Sequence, residues 1–281
     1  MTPAVLLLKK LKVPHQVLEY QHDPQAESYG LEAATKLGLA PPQVFKTLVA
    51  ALDGKELVTA IVPVDQLLAQ SQLALDSWRD AGPQAWVGIC LEILHRLNQR
   101  SFEIAHAVQH TTGQGFMMAF QAGGPHAQER ALEAVAYAWQ EMSRIPGLVD
   151  WIKPQGKHDP IQMKKQFKVV PRGIGLVIGC STFPTWNGYP GLFASLATGN
   201  TVIVKPHPGA ILPLAITVAV AREVLAEAGF NPNVVLLAAH EPSEDTAQQL
   251  ALNKAVKLID FTGSSQNGNW LEENARHAMV Y

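Results

Sequence analysis

FKVVPRGIGLVIGCSTFPTWNGYPGLFASLATGNTVIVKPHPGAILPLAITVAVAREVLAEAGFNPNVVLLAAHEPSEDTAQQLALNKAVKLIDFTGSS, residues 167–265, decides the fold. Four runs in it are apolar and read as strands: FKVVPRGIGLVIG, TVIVKP, NVVLLAA and VKLIDFTG. Between them lie the helical stretches GYPGLFASLATG, LPLAITVAVAREVLAEAG and SEDTAQQLALN, and a further helix begins after Ser264. Continuously apolar strands alternating with helices predict a parallel sheet covered on both faces. Such a sheet binds ligands outside the carboxyl ends of its strands. Those ends are IGCSTFPTW after Val177, KPHPG after Val204, AAHEPSED after Leu237 and FTGSS after Ile259. The last suits an anion best, because Gly263 and Ser264 open a helix whose first N–H groups have no partner within it. Gly268 reads as a close-packing position in that helix. Neither G-x-G-x-x-G nor G-x-x-x-x-G-K-[ST] occurs, and the glycines of PRGIG lead into a strand rather than a helix. Taken singly, each loop is explained equally well by an ordinary turn.

Outward from this block, Leu67 to about Arg144 is helical. QAWVGICLEILHRLNQR and SFEIAHAVQHTTG carry apolar residues at three- and four-residue spacing, and GGPH restarts a third helix, AQERALEAVAYAWQEMSR. Ser101 is placed to cap the second of these and Gly113 to end it. IPGLVDWIKPQGKHDP reads as a connector rich in Pro, Gly and charge. Residues 3–12 read as a short amphipathic helix, HQVLEY as a strand, and SYGLEAATKLG as a helix closed by Gly38. FKTLVAALDGKELVTAIVPV reads as a hairpin turning at Asp-Gly.

Composition narrows the function. The 281 residues are 47% hydrophobic and only 16% charged, which is a core-forming balance rather than a disordered one. A net charge of −2 leaves no basic footprint for nucleic acid. Cys90 and Cys180 stand far apart, which excludes a disulfide scaffold or zinc ribbon and fits a reducing compartment. No apolar run reaches the ~18 residues of a membrane span, and the basic residues of MTPAVLLLKKLKVPH follow its apolar stretch, the wrong order for a signal peptide. A cytoplasmic protein is expected.

The strand-end motifs, in this order and spacing, resemble the aldehyde dehydrogenase superfamily over about residues 67–281. HTTGQGFMMAFQAGGPHAQERALEAVAYA further resembles its PaaN-type members, the enzymes of phenylacetate degradation. The resemblance implies an α/β fold: a parallel, Rossmann-like NAD(P)-binding domain of aldehyde dehydrogenase type over 146–281, incomplete, with a helical lead-in over 66–145. It implies that Ile178, Gly179 and Cys180 line the cofactor loop, that Lys205 hydrogen-bonds the adenosine ribose, and that Gly263 and Ser264 meet the pyrophosphate. Where NAD-preferring members carry a Glu three residues after that lysine, this chain has Pro208, with His207 beside it. No carboxylate there repels a 2′-phosphate, so NADP is expected to be accepted alongside NAD. Thr182 falls where the family has its oxyanion-stabilising Asn. The family's general-base Glu and nucleophilic Cys come after the FTGS helix, beyond Tyr281, so no residue for aldehyde oxidation is assigned and the chain is expected not to turn over an aldehyde. Cys180 reads as a small buried residue.

Residues 1–65 resemble the YbaK-type deacylases, which hydrolyse mischarged aminoacyl-tRNA, in MTPA, EYQHDP and VFKTLV. That resemblance implies a small α+β segment with Lys46 and Tyr20 in an editing pocket and tRNA as partner. The segment is about half of such a module and lacks its glycine-rich loop, so no deacylase activity is expected. The two resemblances meet around 62–69, and the unfinished sheet edge predicts a homo-oligomer or aggregate. Glu92 with His95 and Glu103 with His106 have the spacing of metal-binding helices, but an amphipathic helix explains them and no metal is expected. Met117, Met118 and Phe120 read as core, KKQFK as a solvated strand start, and Asp76 to Asp80 as a helix surface with Trp78 buried.

Overall fold

A computed structural model of the chain describes residues 35–38, 50–52, 56–58, 63–242 and 244–281. The chain divides into two units, Met1–Ile61 and Val62–Tyr281. In the first, a helical turn at 35–37 ends at Gly38, whose φ of 64° is the left-handed conformation that closes helices. Strands β1 (Ala50–Leu52) and β2 (Glu56–Val58) pair antiparallel with Leu52 opposite Glu56, as the Asp-Gly reading requires. The expected helix at 3–12 and the strand HQVLEY, together with Tyr20 and Lys46, lie outside the described residues.

The second unit opens with five helices: α1 (Val64–Ala81), α2 (Pro83–Gln99), α3 (Ser101–Thr112), α4 (Phe116–Gly123) and α5 (Pro125–Ser143). Gly82, at φ 83°, separates the first two, and Pro83 then opens α2 with the fixed φ a first helical residue needs. The buried residues of α2 are Trp86, Ile89, Cys90, Ile93, Leu94 and Leu97, one stripe at the helical period. Gly113 ends α3 in the left-handed conformation as expected. Ser101 is not its cap. It is the first helical residue, and its hydroxyl donates back to the Asn98 carbonyl at 2.7 Å.

The expected connector after α5 is instead an antiparallel hairpin, β3 (Leu148–Gln155) and β4 (His158–Gln166), turning at Gly156. Its two prolines hid it. Proline is excluded from central strands but tolerated on edges, and both strands here are edges; the register breaks at Pro154. KKQFK falls at the end of β4, with the Lys165 ammonium 5.7 Å from the Trp151 ring centre.

The remaining elements alternate: β5 (Ile174–Ile178), α6 (Pro184–Ala197), β6 (Thr201–Lys205), α7 (Ile211–Glu227), β7 (Val235–Leu237), α8 (Thr246–Leu252), β8 (Val256–Phe261), α9 (Ser265–Asn274) and β9 (Met279–Val280). The sheet is parallel in the order β7-β6-β5-β8-β9. β5 is shorter than the apolar run suggests. Pro171 precedes it, and Gly173 at φ 141° turns the chain into the strand, held by the Asn200 side-chain oxygen accepting from the Arg172 and Gly173 N–H groups.

Alternation along β5 and β6 feeds two cores. Ile174, Leu176, Ile178 and Ile203 meet Leu67 and Leu68 of α1, Leu250 of α8 and Leu271 of α9. Val177, Val202 and Val204 meet α2, α6 and α7 on the other face. Both faces are therefore dry, which is why these strands lack polar alternation. Trp78 is buried as expected, its ring edge-on to Phe230 at 5.3 Å. Met117 and Met118 are corrected from core to surface. Phe120 packs against both Phe102 and Phe116, with ring centres 4.9 and 5.9 Å away.

Candidate functional site

The strand order reverses at β5: the chain moves out through β6 and β7, then returns to β8 on the opposite side. This places a crevice outside the carboxyl ends of β5, β6, β7 and β8. The floor is Ile178 and Gly179. Ile178 is buried and lies in register with Lys205 and Phe261 on the neighbouring strands. The Gly179 N–H donates to the Lys205 carbonyl at 2.9 Å. A Cβ on Gly179 would stand 2.9 Å from Leu214 Cδ1, so a larger residue here would have to push that side chain aside.

Lys205 ends β6 with 6% of its surface exposed. Its ammonium makes no hydrogen bond or ion pair among the described residues, and burial pushes its pKa down to about 8. His207, on the exposed loop that follows, accepts the Gly209 N–H at Nδ1 (3.0 Å), which leaves its proton on Nε2 facing outward. Its pKa is lowered by burial and by the Lys205 charge.

Across the crevice, Ser264 caps α9, its Oγ accepting the Asn267 N–H at 3.3 Å. The other first-turn N–H groups of α9 are left for an anion. Gly263 is the close-approach residue here, since a Cβ on it would collide with the Phe261 ring. Gly268 has ordinary van der Waals room, which corrects its reading as a packing position.

Cys180 is half-buried rather than buried, and its Sγ accepts the Asn187 amide N–H at 3.3 Å. Thr182 is exposed, its carbonyl accepting from the Gln114 side chain. Asn187, one turn into α6, is thus a second amide at this loop that the sequence reading passed over. An open depression of about 540 Å³ between α5 and α6, lined by Arg130, Glu133 and Trp186 among others, includes none of these strand-end residues. The residues of the metal-like spacings are engaged elsewhere. Glu92 pairs with Arg96 at 2.8 Å, Glu103 with Arg100 at 2.6 Å, His95 with Gln99, and His106 stacks on Phe116.

Two residues at the strand ends were not singled out by the sequence. One is His240, treated below. The other is Asp260, opposite Val177 in register, its carboxyl filling the space that glycine leaves at position 191. Burial pushes that carboxyl up to about 6, partly offset by Arg130. The native state therefore holds a proton between about pH 4 and 6 that the unfolded chain has released, and stability falls as pH rises through that window. Asp260→Asn is expected to raise stability at pH 7 by about 1–2 kcal/mol, a gain that disappears below pH ~4. Urea unfolding at the two pH values measures it, and equal midpoints for both proteins at pH 7 would contradict it.

A doubly wound parallel sheet carries its ligand crevice at such a switch point, here lined by Lys205 and the start of α9. Residues 60–280 match the model of the aldehyde dehydrogenase family, and the chain belongs to that family. It is 61% identical to a crystallised NAD-dependent aldehyde dehydrogenase from Burkholderia multivorans, with a TM-score of 0.79 over 85% of this chain and 44% of that one. It is 26% identical to the vanillin dehydrogenase of a Pseudomonas species over 76% of this chain and 42% of that protein. The fold is also that of a glyceraldehyde-3-phosphate dehydrogenase, GapN, from Methanocaldococcus jannaschii, crystallised with NADP: TM-score 0.61, 16% identity, 80% of this chain and 47% of that one. The chain spans less than half the length of each of these proteins.

Proposed function

We propose that residues 62–281 bind NAD(P) as the cofactor portion of an aldehyde dehydrogenase. The observation that carries this reading is Lys205, whose largely buried side chain ends at the switch point of the sheet in an ammonium with no partner among the described residues. An ammonium in such a place costs folding energy that an anionic or hydroxyl-bearing ligand would offset. Lys205 would hold the adenosine ribose, Ile178, Gly179 and Cys180 would line the loop beside it, and Gly263 and Ser264 would receive the pyrophosphate at the start of α9. His207 Nε2–H and the uncharged Pro208 make room for a 2′-phosphate, so both dinucleotides are accepted. When bound, the cofactor supplies the hydride acceptor. The chain's own residues bind it, orient it along the strand ends and shield its ribose from water.

Neither cysteine suits the nucleophile of aldehyde oxidation. Cys90 is fully buried in the helical core, where burial pushes its thiol pKa up, and Cys180 lies on the cofactor loop against Asn187. Thr182 or Asn187 is the group we assign to an oxyanion at this end of the crevice. Titration calorimetry with NADP and NAD is expected to show saturable one-to-one binding of both. Absence of heat and of competition with NADPH overturns the assignment.

For a protein containing this segment, the aldehyde we propose is one from aromatic-acid breakdown, on the strength of HTTGQGFMMAF. Faster NADPH formation from aryl than from short alkyl aldehydes is the test. We read Met1–Ile61 as a partial aminoacyl-tRNA editing segment, which the β1–β2 hairpin supports. The expected result is no hydrolysis of Cys-tRNA(Pro). Turnover that vanishes in Lys46→Ala would reinstate the editing function. Self-association, proposed from the sheet edge, is read by sedimentation velocity.

A further inference from the structure

His240 lies on the loop after β7, at the same end of the sheet as Lys205 and His207. The residue is 6% exposed. Nδ1 stands 2.8 Å from the Glu241 carbonyl oxygen, which can only accept, so Nδ1 carries the proton in the neutral ring. Nε2 is then a bare lone pair, and it is buried with no hydrogen-bond partner among the described residues. Buried nitrogens without partners are rare and call for an explanation.

The groups around it bear on its charge. Lys205, ending β6, and His207, on the loop that follows β6, both disfavour protonation. The Glu241 carbonyl and the Glu244 carboxylate, on the loop of His240 itself, favour it. Burial is the largest influence and also opposes the charge. Glu244 is itself occupied in part by the Glu241 N–H at 2.9 Å. The ring is therefore neutral at pH 7 with no ligand present, beside a buried ammonium that already attracts anions.

We propose that His240 selects between the two dinucleotides according to pH: neutral, its Nε2 accepts a hydrogen bond from the ribose 2′-hydroxyl of NAD; protonated, the same atom donates to the 2′-phosphate of NADP. This rests on the cofactor reading above and adds to it a residue and a regulation. The proton comes from solvent and is held between Nε2 and the phosphate. No bond to carbon is made or broken. A dianionic phosphate beside Lys205 and His207 provides the charge that offsets the loss of water around an imidazolium. A ribose hydroxyl, being neutral, gives no such return, so only NADP binding takes up the proton.

The test is the ratio of NAD to NADP dissociation constants for the intact chain, measured by calorimetry between about pH 5.5 and about 8.5. In the wild type the preference for NADP is expected to grow about tenfold from the upper to the lower pH, the limit being a factor of ten per pH unit for one proton taken up. The phosphate's own protonation near pH ~6 works against this trend. His240→Asn keeps an amide donor for the Glu241 carbonyl but removes Nε2, and is expected to flatten the trend to what Lys205, His207 and the phosphate itself contribute. His240→Gln keeps a polar group near Nε2 that cannot titrate, and serves if the first variant unfolds. A ratio in either folded variant that follows the wild-type profile overturns the proposal. Binding of both dinucleotides with no pH trend in the wild type overturns it while leaving the cofactor reading intact. Binding of neither, at any pH, removes both.

Discussion

Replacing Lys205 by methionine is expected to weaken NADP binding at least about thirtyfold while raising the stability of the ligand-free protein. The affinity loss follows from removing a charge-assisted hydrogen bond to the ribose and 2′-phosphate, ~2–3 kcal/mol in a site shielded from water. The stability gain follows from the same burial. Folding takes this ammonium largely out of water and gives it no partner among the described residues, so the folded pKa, about 8, lies below the unfolded value of about 10.5. Below pH ~8 both states hold the proton and the penalty is fully present. Between about 8 and 10.5 the unfolded chain binds more protons, so the stability of the wild type rises with pH; above that range the penalty is gone. The advantage of Lys205→Met should therefore be about 1 kcal/mol or more at pH 7 and shrink toward zero at pH ~10. Urea unfolding at both pH values and calorimetry with NADP measure the two halves of the prediction. A variant that loses both stability and affinity would show that Lys205 is a structural residue.

Gly199→Ala is expected to be among the most damaging single-methyl additions in the chain. Gly199 follows α6 with φ at 82°, a conformation that disfavours any Cβ. That Cβ would stand 2.5 Å from Trp86 Cζ2 and 2.7 Å from two further indole carbons. The indole has nowhere to go. Its Nε1–H donates to the Trp78 carbonyl at 2.6 Å, it is fully buried, and Trp78 is packed edge-on to Phe230. Backbone strain of ~1–2 kcal/mol and overpacking of ~1–3 kcal/mol act together, so a loss of about 3 kcal/mol is expected, or about 6–12 °C in Tm. Trp86→Phe in the same chain should recover part of the second contribution and none of the first. Thermal unfolding by circular dichroism reads all three proteins, and a shift under ~2 °C for Gly199→Ala would contradict the packing described.

The sequence is legible where burial on two faces forces apolar continuity. TVIVK and VKLIDF read as central strands of a covered parallel sheet, α1 and α2 show their cores in their spacing, and α7 is apolar on nearly every side. It is illegible where the decisive contact comes from far along the chain. Nothing local to Gly199 points to Trp86, and nothing local to Gly191 points to Asp260. Gly263 and Gly268 look alike in FTGSSQNG, yet only the first stands against the Phe261 ring. The β3–β4 hairpin lacks both alternation and a buried face, so Pro154 and Pro160 made it read as connector. β5 was read too long because FKVV is as apolar as the strand it precedes, while Pro171 and Gly173 set the true start. The strand ends that form the crevice follow from the β/α rhythm, and Lys205 and Ser264 with them. His240 sits in the quoted loop AAHEPSED, but a histidine in a loop carries no signal of its own. Its meaning depends on the unpartnered Nε2 and on the nearness of Lys205.

The most direct test of the central claim is a crystal structure of this chain grown with saturating NADP. The account predicts the adenosine ribose against Lys205, with the 2′-phosphate toward His207 and His240 and the pyrophosphate over the Ser264 end of α9. NADP seated instead in the depression beside Arg130 and Trp186, or a crevice empty at saturation, would contradict it.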